Sequence, residues 1–125
     1  MLGRVDVLIV DDDLDMVDSL RDVLTDRGFE VAIARDGQEA LEYLAAAPAP
    51  SVILLDWMMP RCDGATFRER QLANPAFAGI PVVILTADAR VEERRDAMDS
   101  APVLLKPVEI TDLVGVLSKI TSAAE

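Results

Sequence analysis

The sequence predicts an α/β domain, a doubly wound five-stranded parallel sheet in the order 2-1-3-4-5 with five helices on its two faces. Three observations carry this expectation. Five short apolar runs, rich in β-branched residues, alternate with amphipathic stretches of helical period. The first, third and fourth runs are apolar almost throughout, the pattern of parallel strands covered on both sides. Polar residues gather at the carboxyl ends of the runs, where an open parallel sheet places its ligand crevice.

The elements follow in order. Val5–Val10 (VDVLIV) reads as the first strand, and Asp15–Arg27 as a helix with Met16, Leu20, Val23 and Leu24 on one face. Gly28 stands where a helix commonly ends in the left-handed conformation. Phe29–Ala34 (FEVAIA) is the second strand; Asp36-Gly37 makes a turn, and Gln38–Ala46 is a helix halted by Pro48 and Pro50. Ser51–Asp56 (SVILLD) is the third strand, followed by the loop WMMPRCDG and a helix over Ala65–Ala73. Pro81–Thr86 (PVVILT) is the fourth strand, Asp88–Asp99 a charged helix, Pro102–Lys106 (PVLLK) the fifth strand and Ile110–Thr121 the last helix. The second strand carries Glu30 and the fifth is short, so both suit the edges of the sheet.

Composition removes several function classes. A chain of 125 residues buries roughly two-thirds of its unfolded surface, enough for one core and one domain spanning residues 1–125. A net charge of −11 repels phosphate backbones and anionic membranes, so direct contact with nucleic acid or membrane is not expected. The absence of histidine excludes imidazole bases, His-containing triads and His-ligated zinc or haem. The single Cys62 forms no internal disulfide and reads as an inert loop thiol. No apolar run is long enough to span a bilayer and the N-terminus lacks a signal pattern, which points to a soluble, cytoplasmic domain working through carboxylates.

Those carboxylates fall on one rim. Asp11, Asp12 and Asp13 follow the first strand, Asp56 ends the third, Thr86 the fourth and Lys106 the fifth. Clustered carboxylates repel one another, and each costs free energy without a cation. Aspartate oxygens with room for water and a phosphoryl group are the ligand set Mg²⁺ prefers. A metal held by Asp12 and Asp56, with Asp11 direct or through water, offsets the repulsion and leaves an oxygen of Asp56 facing an electrophile. Lys106 is one of two lysines, set in VLLKP where a buried ammonium needs an anionic partner, and Thr86 adds a hydroxyl donor. A hard cation, an ammonium and a hydroxyl around one carboxylate describe a site for phosphoryl transfer with Asp56 as nucleophile.

Each residue also has a purely structural reading. Aspartates ahead of a helix serve as N-caps, a role that suits Asp13 or Asp15. Asp56 can be the polar end of a strand, Thr86 a β-former that caps the next helix, and Lys106 a lysine reaching out of a turn. Their joint placement after four different strands is what favours the chemical reading.

VLIVDDD, LLDWMMPRCDG, VVILTAD and VLLKPV resemble, in order and spacing, the receiver domain of two-component response regulators. The resemblance covers nearly the whole chain and implies a flavodoxin-like fold, Mg²⁺ binding and transfer of a phosphoryl group onto Asp56 from a histidine kinase or histidine phosphotransfer protein. Carried over by position, Asp11 and Asp12 are the acidic pair, Asp56 is acceptor and ligand, and Met58 lends its backbone carbonyl to the metal. Thr86 and Lys106 contact the phosphoryl group, and the Lys106-Pro107 bond is cis. An output partner, unidentified, would read the surface of the fourth helix, fifth strand and fifth helix.

The chain departs from the family at the readout. Val103 stands where a switch aromatic is usual, Val108 where a phenylalanine often follows the Lys-Pro pair, and DSAPVLL lacks the usual glycine. The 20-residue gap from Thr86 to Lys106 is slightly short. Two other functions compete. Asp11-Asp12-Asp13 contains the Asp-x-Asp of haloacid-dehalogenase-like phosphohydrolases, with Asp11 as nucleophile and Asp13 as general acid, and a pseudo-receiver would serve only as a docking surface. The chain fits a free-standing regulator, as Met1 directly ahead of fold residues suggests, or a piece of a larger protein such as a hybrid kinase.

Overall fold

The computed structural model describes residues 5–59, 62–88, 90 and 101–123. Among them the elements run β1 (Val7–Val10), α1 (Leu14–Asp26), β2 (Val31–Ala34), α2 (Gly37–Ala46), β3 (Val52–Asp56), α3 (Gly64–Ala73), β4 (Val82–Thr86), β5 (Val103–Leu105) and α4 (Ile110–Ala123). All strands are parallel, in the order β2-β1-β3-β4-β5. The expected topology, with β2 and β5 at the edges, is therefore present. Four of the five expected helices lie among the described residues; the one expected over Asp88–Asp99 falls almost entirely outside them.

Every strand starts one or two residues later than its apolar run, for local reasons. Phe29 closes the end of α1 instead of opening β2. Its amide donates to the Leu24 carbonyl and that of Gly28 to Thr25, the paired bonds of a Schellman ending. Gly28 supplies the left-handed turn this ending requires, at φ 93°. Pro81 and Pro102 lack the amide that a ladder residue needs, yet their carbonyls accept from Ile53 and Ile84, so each flanks its strand without belonging to it.

Alternation along the strands divides the core between the two faces of the sheet. Leu8, Val10, Ile53, Leu55, Val82 and Ile84 point to one side, where Ala40, Leu44 and Phe67 of α2 and α3 cover them. Val7, Ile9, Val52, Leu54, Val83 and Leu85 point to the other, under Val17, Leu20 and Leu24 of α1 and Leu113 and Leu117 of α4. β1, β3 and β4 are buried at every position, whereas β2 and β5 are largely half-buried or exposed. α1, α2 and α3 begin on aspartates: Asp13, Asp36 and Asp63 accept from the amides of Met16, Glu39 and Thr66. On the far side of the sheet from the rim, the fully buried Gln71 donates to the Phe77 and Ile80 carbonyls and accepts from Arg68, fixing the approach to β4.

Candidate functional site

The site is assembled by strand ends. Asp11 is the first residue beyond β1 and is 1% exposed; Asp56, the last of β3, is 4% exposed. β4 ends at Thr86, fully buried, and Lys106 follows β5 directly. Parallel strands in one register deliver all four to the carboxyl edge, and the hydrogen bond from the Lys106 amide to the Thr86 carbonyl (2.8 Å) extends the β4–β5 pairing to the lysine. The Lys106-Pro107 peptide is cis, as the resemblance implied.

Lys106 joins the two buried carboxylates. Its Nζ lies 3.2 Å from Asp11 Oδ2 and 3.3 Å from Asp56 Oδ1. The second Asp11 oxygen accepts from the Asp13 amide at 3.0 Å, and Asp56 Oδ1 accepts from the Met58 amide at 3.4 Å. Burial, and then the neighbouring Asp11, push the Asp56 carboxyl up from 3.8 to about 6, against the pull of Lys106 and the Met58 amide. Burial draws the Lys106 ammonium down, but Asp11 and Asp56 outweigh it and its pKa lies above the usual 10.5. One ammonium is thus insufficient for the carboxylates gathered here.

Asp12 is exposed, yet it brings a carboxylate oxygen within 4.8 Å of those of Asp11 and Asp56. Three carboxylates against one ammonium leave a surplus of negative charge, and an all-oxygen donor set is what a hard divalent cation takes. The residues present therefore fit Mg²⁺. Met58 keeps its side chain in solvent, 67% exposed, while its backbone lies beside Asp56. Asp13, offered as an acid in the phosphohydrolase reading, is instead occupied as the α1 cap.

Thr86 does not touch the acidic cluster through any hydrogen bond of the described residues; its Oγ1 accepts from the Asp88 amide at 3.1 Å. Two glycines confine the segment after Asp56. A Cβ on Gly64 would lie 2.7 Å from Trp57 Cα and 2.9 Å from the Asp56 carbonyl oxygen, and one on Gly37 would lie 2.6 Å from Cys62 Sγ. Gly37 also donates to the Cys62 carbonyl, so the start of α2 abuts the loop that follows Asp56. The sequence reading has Gly64 in this loop and Asp36-Gly37 as a turn before a helix from Gln38; in the structure Gly37 is already the first residue of α2, Asp36 is its cap, and Asp63 caps α3. The caps had a signal in Asp-x-x-Glu at Asp36–Glu39 and in Asp-Gly ahead of α3. The Gly37–Cys62 contact had none.

Comparison with known proteins agrees with this geometry. The model of the response regulator receiver domain family matches residues 7–118. The chain is 37% identical over 115 residues to an uncharacterized 14.6 kDa protein of Leptolyngbya boryana, covering 90% of this chain and 87% of that one. It is 39% identical over 110 residues to the response regulator MprA of Mycolicibacterium vanbaalenii, covering 86% of this chain but only 46% of that relative, about half its length. Among solved structures, a Francisella response regulator receiver domain superposes with a TM-score of 0.83 at 28% identity, covering 98% of this chain and 100% of that one. The signal receiver domain of a histidine kinase from Syntrophus aciditrophicus gives 0.87 at 26% identity, covering 97% and 92%. This chain belongs to the response regulator receiver domain family.

Proposed function

We propose that the chain is a phosphorylatable signalling module in which Asp56 accepts a phosphoryl group from a histidine kinase or histidine phosphotransfer protein. The observation that carries this reading is Asp56 itself: a buried carboxylate at the end of a central strand, next to two further carboxylates and an ammonium. An Asp56 oxygen attacks phosphorus; the new O–P bond forms as the P–N bond to the partner's imidazole breaks, and the electron pair of that bond returns to the ring nitrogen. Asp56 would react as the carboxylate, its charge balanced by Lys106 and by a bound cation rather than by a proton. Lys106 Nζ, now shared between Asp11 and Asp56, is placed to donate to the transferred oxygens. Thr86 contributes a hydroxyl donor.

Asp11, Asp12 and Asp56, with the Met58 carbonyl, would hold Mg²⁺, which when bound neutralises charge on the phosphoryl oxygens. Release of Lys106 from the carboxylates couples the site to β5 and, through it, to α4. In this reading the surface of β5 and α4, with the segment between β4 and β5, controls an output partner. The domain spans residues 1–125, acts in the cytoplasm, and carries out only its own phosphorylation and dephosphorylation. Neither nucleic acid nor membrane is a direct partner, consistent with the charge of −11; among the described residues no helix is long and apolar enough to cross a membrane.

Intact-mass measurement after incubation with Mg²⁺ and a small acyl phosphate tests the proposal. The parent protein should gain one base-labile phosphoryl group, Asp56→Asn none. Equal labelling of the variant would overturn the assignment and return Asp11 to consideration. No labelling of the parent would leave a docking pseudo-receiver.

A further inference from the structure

Beyond Thr86 the backbone turns, and the turn is held by one carboxylate. Asp88 Oδ1 accepts from the Arg90 amide at 2.9 Å and from Arg90 Nε at 3.0 Å, while Oδ2 accepts from Nη2 at 2.9 Å. The guanidinium thus grips Asp88 with both prongs, and the same side chain is tied to the Arg90 backbone. The Asp88 amide in turn donates to Thr86 Oγ1 at 3.1 Å. A hydroxyl has one proton and two lone pairs. With a lone pair engaged by the turn, its orientation is restricted and its proton is left to donate elsewhere. An exposed ion pair ordinarily contributes little, and this one is exposed, at 80% for the arginine and 35% for the aspartate. What distinguishes it is that its acidic residue supplies the amide that orients a buried hydroxyl.

We infer that Arg90 is a positioning residue for Thr86: the Arg90–Asp88 pair fixes the turn whose amide sets the Thr86 hydroxyl as a donor toward the phosphoryl group. This rests on the reading of Thr86 given above. Arg90 itself need not contact the phosphoryl group. Its action passes through Asp88, so it should disappear when the Thr86 hydroxyl is removed.

A double-mutant cycle tests this. Beryllofluoride, a stand-in for a phosphoryl group on a carboxylate, is titrated at saturating Mg²⁺ and followed by the fluorescence of Trp57, the only tryptophan and the neighbour of Asp56. Arg90→Ala should weaken beryllofluoride binding about two- to fivefold, the range an exposed pair can transmit. Mg²⁺ affinity and melting temperature should stay unchanged. Arg90→Lys, which keeps the charge but loses the fork, should recover only part of the loss. In a Thr86→Ala background, Arg90→Ala should have no further effect. An equal loss in both backgrounds, or none in the parent, overturns the inference and leaves the phosphoryl reading intact. If the parent does not bind beryllofluoride, or Thr86→Ala binds it as tightly as the parent, the reading of Thr86 fails and the inference with it.

Discussion

Replacing Asp56 by Asn removes a carboxylate that the fold buries beside Asp11 and leaves a side chain of nearly the same shape. Folding lifts the Asp56 pKa from 3.8 to about 6. A rise of this size corresponds to about 3 kcal/mol of preference for the protonated form in the folded state. The folded protein therefore binds the Asp56 proton more tightly than the unfolded chain does. The resulting stabilisation is complete below about pH 4 and is lost as pH rises through about 6. Metal-free Asp56→Asn should match the parent near pH 4 and exceed its stability by about 3 kcal/mol at pH 8, roughly 10 °C in melting temperature for a domain of this size. Urea denaturation in a chelating buffer at both pH values, followed by far-UV circular dichroism, measures the gap. Contributions common to both proteins cancel in the difference, which reports Asp56 together with its neighbours Asp11 and Lys106. A variant less stable than the parent at pH 8 would mean that pairing with Lys106, not crowding, dominates. A gap independent of pH would mean that the effect has nothing to do with the Asp56 charge.

Other perturbations have equally definite outcomes. Lys106→Ala leaves Asp11 and Asp56 buried without their shared cation and should cost about 2–4 kcal/mol in metal-free buffer at pH 8, by denaturant titration. The same variant should accept a phosphoryl group more slowly but not fail to, since Mg²⁺ still balances the charge. Mg²⁺ should stabilise the parent by about 2.7 kcal/mol at a hundredfold excess over its dissociation constant, seen as a raised melting temperature, and do so far less in Asp56→Asn. Gly64→Ala must displace Trp57 or the Asp56 carbonyl and should destabilise by about 1–3 kcal/mol, with a shifted Trp57 emission maximum. Gly28→Ala meets no neighbour and should cost only the left-handed backbone, about 1–2 kcal/mol by thermal melting.

Most of the fold was legible because burial dictates composition. β1, β3 and β4 are covered on both faces and are apolar up to their last residues, Asp56 and Thr86, so VLIV, VILLD and VVILT announce themselves; β5 reveals its edge position through its short length, whereas Glu30, expected inside β2, lies just ahead of it and VAIA carries no edge mark of its own. Strand starts were less legible, since Phe29 is as good a strand residue as it is the apolar partner of a Schellman ending. At the site, the positions of Asp11, Asp56, Thr86 and Lys106 followed from strand order alone. Their partners did not. Nothing in the spacing reveals that Lys106 bridges two carboxylates, that Asp13 rather than Asp15 caps α1, or that the Thr86 hydroxyl is held by the Asp88 amide. These depend on side-chain rotamers and on distances of a few tenths of an ångström, which a pattern of residue types does not encode. Close approaches such as Gly37 against Cys62 join residues distant in sequence and leave no local mark.

Chemical trapping reads directly which carboxylate carries the phosphoryl group. Borohydride reduces an acyl phosphate to an alcohol, so reduction of protein incubated with Mg²⁺ and a small acyl phosphate converts the acceptor aspartate to homoserine, which peptide mass spectrometry locates. The burial of Asp56 at the end of β3, beside Asp11 and Lys106, predicts homoserine at position 56 and at no other aspartate. Homoserine at position 11, 12 or 13, or an unreduced chain after demonstrated incubation, would contradict it.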